Sequence, residues 1–250
     1  MEKKILVILL IVAVMGNLIG LFVLYKALHY RSIVLQKNKE VADYGNLAMY
    51  EDENRTLRSS PDVIFYGASI TEIMNLEKLF PGKNYLNRGA SGQYTQQLLL
   101  RFKQDVIDLK PGAVVIKLCS INMAGFIPLE TTKYYLKTMV ENAQCAGIKV
   151  YLATVVPVGK KYADQYKDRN VVGKIRDFNQ WLQGYADGKG IDVIDYFNAL
   201  ANDQGMLDAD ISVDGLHPND EAFQKMAEAA LEVLTQEAES QENMDLAKED

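Results

Sequence analysis

Two histidines, His29 and His217, are the only imidazoles in the chain. His29 follows a long apolar N-terminal run, so histidine-dependent chemistry in the folded part has to use His217. Its setting is "VDGLHPND" (213–220), with Asp214 three residues upstream across Gly215. That spacing can put a carboxylate on one ring nitrogen and leave the other for a hydroxyl. A surface Asp-Gly turn beside a helix cap gives the same pattern. The hydroxyl that could complete such a set is Ser69, in "DVIFYGASIT" (62–71), where a run of strand formers ends in Gly67-Ala68-Ser69. Ser69 either caps the helix that follows or is a nucleophile held at a sheet edge. Two cysteines, Cys119 and Cys145, make neither a disulfide framework nor a metal cluster. A site of several imidazoles is excluded by count, HExxH is absent, and no metal ligand set is assigned.

The elements that must position these residues alternate. Apolar runs at 62–67, 84–89, 113–118, 149–156 and 191–196 read as strands. Helical spacing covers 71–80, 94–109, 128–146, 164–187 and 219–236, with Pro81-Gly82, Pro111-Gly112 and Gly147 as stops. Alternation of this kind predicts a five-stranded parallel sheet covered on both faces, a flavodoxin-like three-layer α/β/α sandwich. Ligands of such sheets bind at the C-terminal strand ends, which places 67–71, 87–92 and 119–123 on one rim.

Residues 5–25 carry no charge over 21 positions, enough as a helix to cross the hydrocarbon of a bilayer. We expect an uncleaved signal anchor over 1–25, a partly helical stalk over 26–60, the folded domain over 61–236 and an acidic mobile tail over 237–250. A cleaved signal peptide, giving a secreted protein, is the alternative. Lys3 and Lys4 precede the span, while Lys26, Arg31, Lys37 and Lys39 follow it, so the positive-inside rule does not fix the orientation. A single span with a short lead places the body outside the cytoplasmic membrane. Net charge is −6, and the segment 236–250 holds six acids against Lys248, so the body is nearly neutral and offers no basic face for nucleic acid.

Three separated blocks resemble the SGNH/GDSL hydrolases of the platelet-activating-factor-acetylhydrolase-like kind. They are "VIFYGASIT" (63–71), "FPGKNYLNRGASGQYTQQLLLRFKQDVIDLKP" (80–111) and "SVDGLHPN" (212–219), in family order over roughly 60–225. The resemblance implies Ser69 as nucleophile, His217 as general base and Asp214 as its orienter. It also implies an oxyanion hole made by the N–H groups of Ser69 and Gly89, no cofactor, and an ester of a small molecule, glycan or lipid as substrate. The GxSxG elbow of α/β-hydrolases is absent.

The third block departs from the family pattern G-x-N-D. Here it reads "CSIN" (119–122), with Ile121 in the asparagine's place and Asn122 one residue late. On a strand, that shift turns the side chain to the other face, unless a bulge or turn returns Asn122 to the hole. Cys119 as nucleophile is the minor alternative, since the serine block is intact. Ser91 and Ser120 read as loop hydrogen-bonders. Tyr66, Tyr94, Phe126 and Trp181 are either core or pocket lining. The expected activity is a metal-independent serine esterase acting on short acyl esters. The rivals are a membrane-tethered binding protein whose turnover is degraded by the CSIN change, and an acyl transferase.

Overall fold

The computed structural model describes residues 2–125, 127–212 and 214–249, and of these the side chains of 2, 39, 40 and 236–249 lie outside the description. The chain divides into two units, Met1–Asn46 and Leu47–Asp250.

The first unit is one helix, α1 (Glu2–Ala42). Its stretch Lys3–Asn38 is long and apolar enough to cross a membrane. The first part of the expected stalk therefore continues the apolar helix. No Gly or Pro interrupts 21–42, and Gly45 and Asn46, the latter at φ 55°, end the run.

In the second unit the elements follow as α2 (Glu51–Thr56), β1 (Val63–Gly67), α3 (Ser69–Glu72), α4 (Leu76–Leu79), β2 (Tyr85–Gly89) and α5 (Thr95–Asp105). Then come β3 (Ala113–Lys117), α6 (Ile121–Ala124), α7 (Leu129–Cys145), β4 (Lys149–Ala153), α8 (Lys160–Gln165) and α9 (Val171–Asp187). β5 (Val193–Ile194), α10 (Tyr196–Leu200) and α11 (Asp220–Glu249) complete it. α11 continues through the stretch read as the acidic tail. The strands pair in parallel in the order β2-β1-β3-β4-β5.

Period-two alternation divides the strand side chains between two cores. Ile64, Tyr66, Val114, Ile116 and Leu152 pack under α5, α7 and α9, with Phe102, Leu136 and Phe178. Val63, Phe65, Val115, Tyr151 and Ile194 pack against the other layer, with Ile70, Phe223 and Met226. Both faces are covered, as a parallel sheet requires, and the three-layer sandwich is the expected one.

Three boundaries differ from the sequence reading. The helix expected over 71–80 is two short pieces, because the Asn75 side chain accepts from Lys78 N–H at 3.0 Å and starts a new helix. The helix expected over 164–187 breaks at Asn170, in the left-handed region at φ 48°. Leu47–Thr56, expected in the stalk, belongs to the compact unit. There Tyr50 is buried under the Arg88 guanidinium, 4.5 Å from its ring, and donates its hydroxyl to the Gly89 carbonyl. Asn54 donates to Asp105 at 2.7 Å. Short polar helices like α2 carry no hydrophobic period, so these long-range contacts leave no trace in the local sequence.

The register aligns the strand ends. Gly67 pairs with Gly89 on one side and with Lys117 on the other. Arg101 of α5, fully buried, ties this edge from beneath. Its guanidinium donates to Gly67 O at 3.1 Å, Arg88 O at 2.6 Å and Asp105 at 2.6 Å. A buried cation is retained only where it is paired and hydrogen-bonded in this way.

Candidate active site

β1 ends at Gly67, and the chain turns through Ala68 into α3, whose first residue is Ser69. Gly67 has no room for a side chain, since an added Cβ would meet the Thr71 hydroxyl and Lys117 O. The turn therefore packs directly on β3 and holds the Ser69 hydroxyl above the sheet's C-terminal edge. In the first turn of a helix the Ser69 N–H has no intrahelical acceptor.

His217 arrives from the segment before α11. Ser212 and Pro218 bridge across the base of its loop, and Gly215 takes the left-handed conformation at φ 85°. One Asp214 oxygen accepts from the N–H groups of Leu216 at 2.9 Å and His217 at 2.8 Å. The other lies 2.8 Å from His217 Nδ1. The loop thus fixes the imidazole through its own carboxylate. His217 Nε2 stands 3.0 Å from Ser69 Oγ. With Nδ1–H donated to Asp214, Nε2 is the unprotonated nitrogen and accepts the hydrogen bond of the Ser69 hydroxyl. Burial would raise the Asp214 pKa, but the hydrogen bonds from the His217 backbone and ring and from Leu216 N–H outweigh it. They hold the carboxyl below its ordinary value.

Ser69 and His217 open onto a cleft of about 270 Å³, with Asp214 behind the imidazole. Ala68, Ser69 and His217 form part of its wall, with Ser91 and Gly92 beside them. Cys119, Ile121, Tyr162 and Leu216 make the remainder mostly apolar.

Of the oxyanion residues named from the sequence, Ser69 lies at the cleft, while Gly89 and Asn122 are engaged elsewhere. Gly89 N–H donates to the Asn87 side chain at 2.8 Å, and its missing Cβ leaves room for the backbone of Thr71 and Glu72. Gly89 is a packing glycine. The glycine at the cleft is Gly92, at φ 74°. The loop that carries it is held to α3, the helix that begins with Ser69. Glu72 accepts from Ser91 N–H at 2.6 Å and also from the Ser91 hydroxyl.

Asn122 does not reach the cleft. Its buried carboxamide oxygen accepts from Thr95 N–H at 3.0 Å and Thr95 Oγ1 at 2.8 Å, and its nitrogen donates to Cys119 O at 3.1 Å. It therefore caps α5. Residues 121–124 form helix α6, a turn that does not return Asn122 to the cleft. Successive side chains there rotate by about 100°, which leaves Ile121 on the cleft and carries Asn122 behind it.

The other named residues sort as follows. Cys119 is buried and lines the cleft, but both imidazole nitrogens are occupied by Asp214 and Ser69. Ser120 is fully buried. Tyr66 is core, donating to Leu98 O at 2.5 Å. Tyr94 is the N-cap residue before α5, and Trp181 stacks on Tyr185 at 5.4 Å. Neither is among the cleft residues given above. Phe126 lies outside the described residues. Tyr162, Gly92 and Glu72 were missed. Gly92 and Glu72 had a signal, as the second glycine of "GASG" and the carboxylate of "SITE". Tyr162 sits in "GKKYADQYKD" (159–168), which has none.

With this geometry established, comparison with known proteins is specific. Residues 68–225 match the model of the GDSL-like lipase/acylhydrolase family. A crystal structure from Bacteroides fragilis, provisionally described as an acylhydrolase, is 30% identical. It aligns over 76% of this chain and 95% of its own, with a TM-score of 0.70. A GDSL-like lipase from Bacteroides thetaiotaomicron is 28% identical over 79% of this chain and 98% of its own, also with a TM-score of 0.70. A Streptococcus pneumonia protein, provisionally described as a platelet activating factor, shares the fold at 23% identity and a TM-score of 0.66. It covers 81% of this chain and 97% of that one. A comparison with curated proteins gives no match. The family model spans more than half of the sequence, and the chain belongs to the GDSL-like lipase/acylhydrolase family.

Proposed function

We propose that this protein is a serine esterase that cleaves short acyl esters through an acyl-serine intermediate. The observation that carries the reading is the unbroken line from Asp214 to His217 Nδ1 at 2.8 Å and from His217 Nε2 to Ser69 Oγ at 3.0 Å, at an open cleft. His217 takes the Ser69 proton as the serine oxygen attacks the ester carbonyl. The carbonyl electron pair moves to oxygen, and the N–H groups of Ser69 and Gly92 face that charge. Collapse expels the alcohol, which takes the proton back from His217. Water then repeats the sequence on the acyl-serine, releasing acid and free serine. Every step uses groups of the chain and no metal.

The cleft's small volume and its apolar wall of Ile121, Leu216 and Tyr162 favour a short acyl group on a small-molecule, glycan or lipid alcohol. α1 is the membrane anchor in this reading, with the body outside the cytoplasmic membrane. Protease added to intact cells then digests the body, and full protection contradicts that placement. For the chemistry, the full chain in detergent is assayed on a short aryl ester beside Ser69→Ala. Turnover that vanishes in the variant supports the reading, and equal rates refute it. One observation favours a rival, a tethered binding protein: Asn122 is committed to Thr95 and gives no carboxamide to the hole. Ligand binding without ester turnover is the result that would select it.

A further inference from the structure

An oxyanion needs more than one preorganised donor, and side-chain donors around this cleft are few. Ser69 is the attacking group, and the His217 ring is committed to Ser69 and Asp214. The Ser91 hydroxyl donates to Glu72. Ile121 and Leu216 have no donor in their side chains, and the Cys119 thiol is a weak one. Tyr162 remains. Among the described residues its hydroxyl has no hydrogen-bond partner, although the ring is partly buried in the cleft wall.

The ring is rigidly placed. Gly159 N–H, at the start of α8, donates to Gly215 O at 2.7 Å. An added Cβ at Gly159 would lie 3.0 Å from Gly215 Cα, so α8 is seated against the Asp214–His217 loop without a spacer. One turn on, Tyr162 packs on Tyr166 with ring centroids 4.8 Å apart. The element that carries the phenol is thus keyed to the loop that carries the base.

We propose that the Tyr162 hydroxyl is a catalytic donor to the substrate's carbonyl oxygen, completing an oxyanion hole whose other donors are the Ser69 and Gly92 N–H groups. The phenol fills on the cleft side the role that Asn122 cannot fill from behind α6. Burial raises the Tyr162 pKa, and the neighbouring Cys119, Tyr166, Tyr94 and Asp214 raise it further. The group therefore stays protonated, and a donor, through the neutral range.

This inference rests on the serine-esterase reading, and the experiment separates the two. The full chain is titrated with a fluorophosphonate and assayed on a short aryl ester. An unaltered chain that neither labels at Ser69 nor turns over ends the esterase reading itself. In an active, labelled chain, Tyr162→Phe lowers kcat by about 10²-fold with KM within about threefold. The ring and its packing are kept, and no protein hydrogen bond among the described residues is lost, so thermal melting stays in place. Adding Ile121→Asn to Tyr162→Phe returns a donor to the same wall and recovers at least about tenfold of the loss. A Tyr162→Phe rate within twofold of the unaltered chain overturns the proposal. So does a loss that the second substitution leaves untouched, which marks a merely structural tyrosine.

Discussion

The two sides of the cleft are built on different principles. On one side Ser69, Asp214 and His217 define each other's positions. The carboxylate accepts from the backbone of its own loop and from the imidazole, the imidazole meets the hydroxyl, and Glu72 clamps the neighbouring loop through Ser91. On the other side Cys119, Ile121 and Tyr162 are set by how the chain leaves β3 and enters α8. The polar side is self-determined: once the loop closes, few other geometries satisfy its groups. The second side follows the backbone, and one step of about 100° along α6 decides whether residue 121 or 122 faces the cleft. One side therefore fixes its own partners, while what the other side presents to the cleft depends on its backbone.

The comparison breaks most directly on the polar side. Ser69→Ala is expected to remove ester turnover by at least about 10⁴-fold with the melting temperature unchanged, read by steady-state kinetics and thermal melting. Asp214→Asn leaves a carboxamide that no longer orients and stabilises the imidazolium. The expected loss in kcat is about 10²–10⁴-fold, with KM little changed. A loss below tenfold would mean that the loop holds His217 without its carboxylate.

Asn122→Ala sharpens the contrast, because the two sides predict different readouts. A carboxamide in the oxyanion hole would cost about 10²–10³ in rate. The α5 cap described above predicts a rate within a few-fold. In its place comes a stability loss of about 1–3 kcal/mol from the unpaired Thr95 N–H, read by urea denaturation.

Lys117 separates stability from chemistry beneath both walls. It is buried and lines a small internal cavity together with Tyr196; among the described residues the Tyr196 hydroxyl has no hydrogen-bond partner and the Lys117 ammonium reaches only Leu118 O, at 3.4 Å. Burial lowers its pKa below the ordinary 10.5. The unfolded chain then binds the extra proton across the window between the lowered and the ordinary value, so folding stability rises with pH across it. Lys117→Met should stabilise by about 1–3 kcal/mol at neutral pH. That advantage should shrink as pH climbs toward 10.5.

The smallest effect concerns Asp214. Its folded pKa is below the ordinary 3.8, so its contribution to stability is present above that value and fades as pH falls through the lower one. Urea midpoints of the unaltered chain and Asp214→Asn should therefore differ at pH 7 and converge in strong acid. The carboxylate is about half exposed, and solvent keeps this difference small.

Much of the architecture was legible. The apolar runs around Val63–Gly67 and Ala113–Lys117 are buried on both faces, and their alternation with helical spacing dictates the parallel sheet. Asp214 and His217 were legible as a pair because three residues and a glycine turn set their separation locally. Their approach to Ser69 was a matter of elimination, there being one histidine in the folded part. Gly89 and Gly92 could not be told apart by type. Gly89 is required by the close approach of Glu72, which is distant in sequence, whereas Gly92 meets a local demand for positive φ. Asn122 stayed open because the sequence does not say whether the chain leaving β3 runs on as a strand, rotating side chains by 180°, or turns into a helix, rotating them by about 100°. Tyr162 belongs to a polar segment with no chemical signature, and the packing of Gly159 on Gly215 and of its ring against the core brings it to the site.

The central claim is that Ser69 is activated by His217. Fluorophosphonate labelling of the full chain, mapped by peptide mass spectrometry, addresses it most directly. The account predicts stoichiometric label on Ser69, with a labelling rate that collapses in His217→Ala. Label on Ser91, Ser120 or Cys119, or labelling of Ser69 at the same rate without the imidazole, would contradict it.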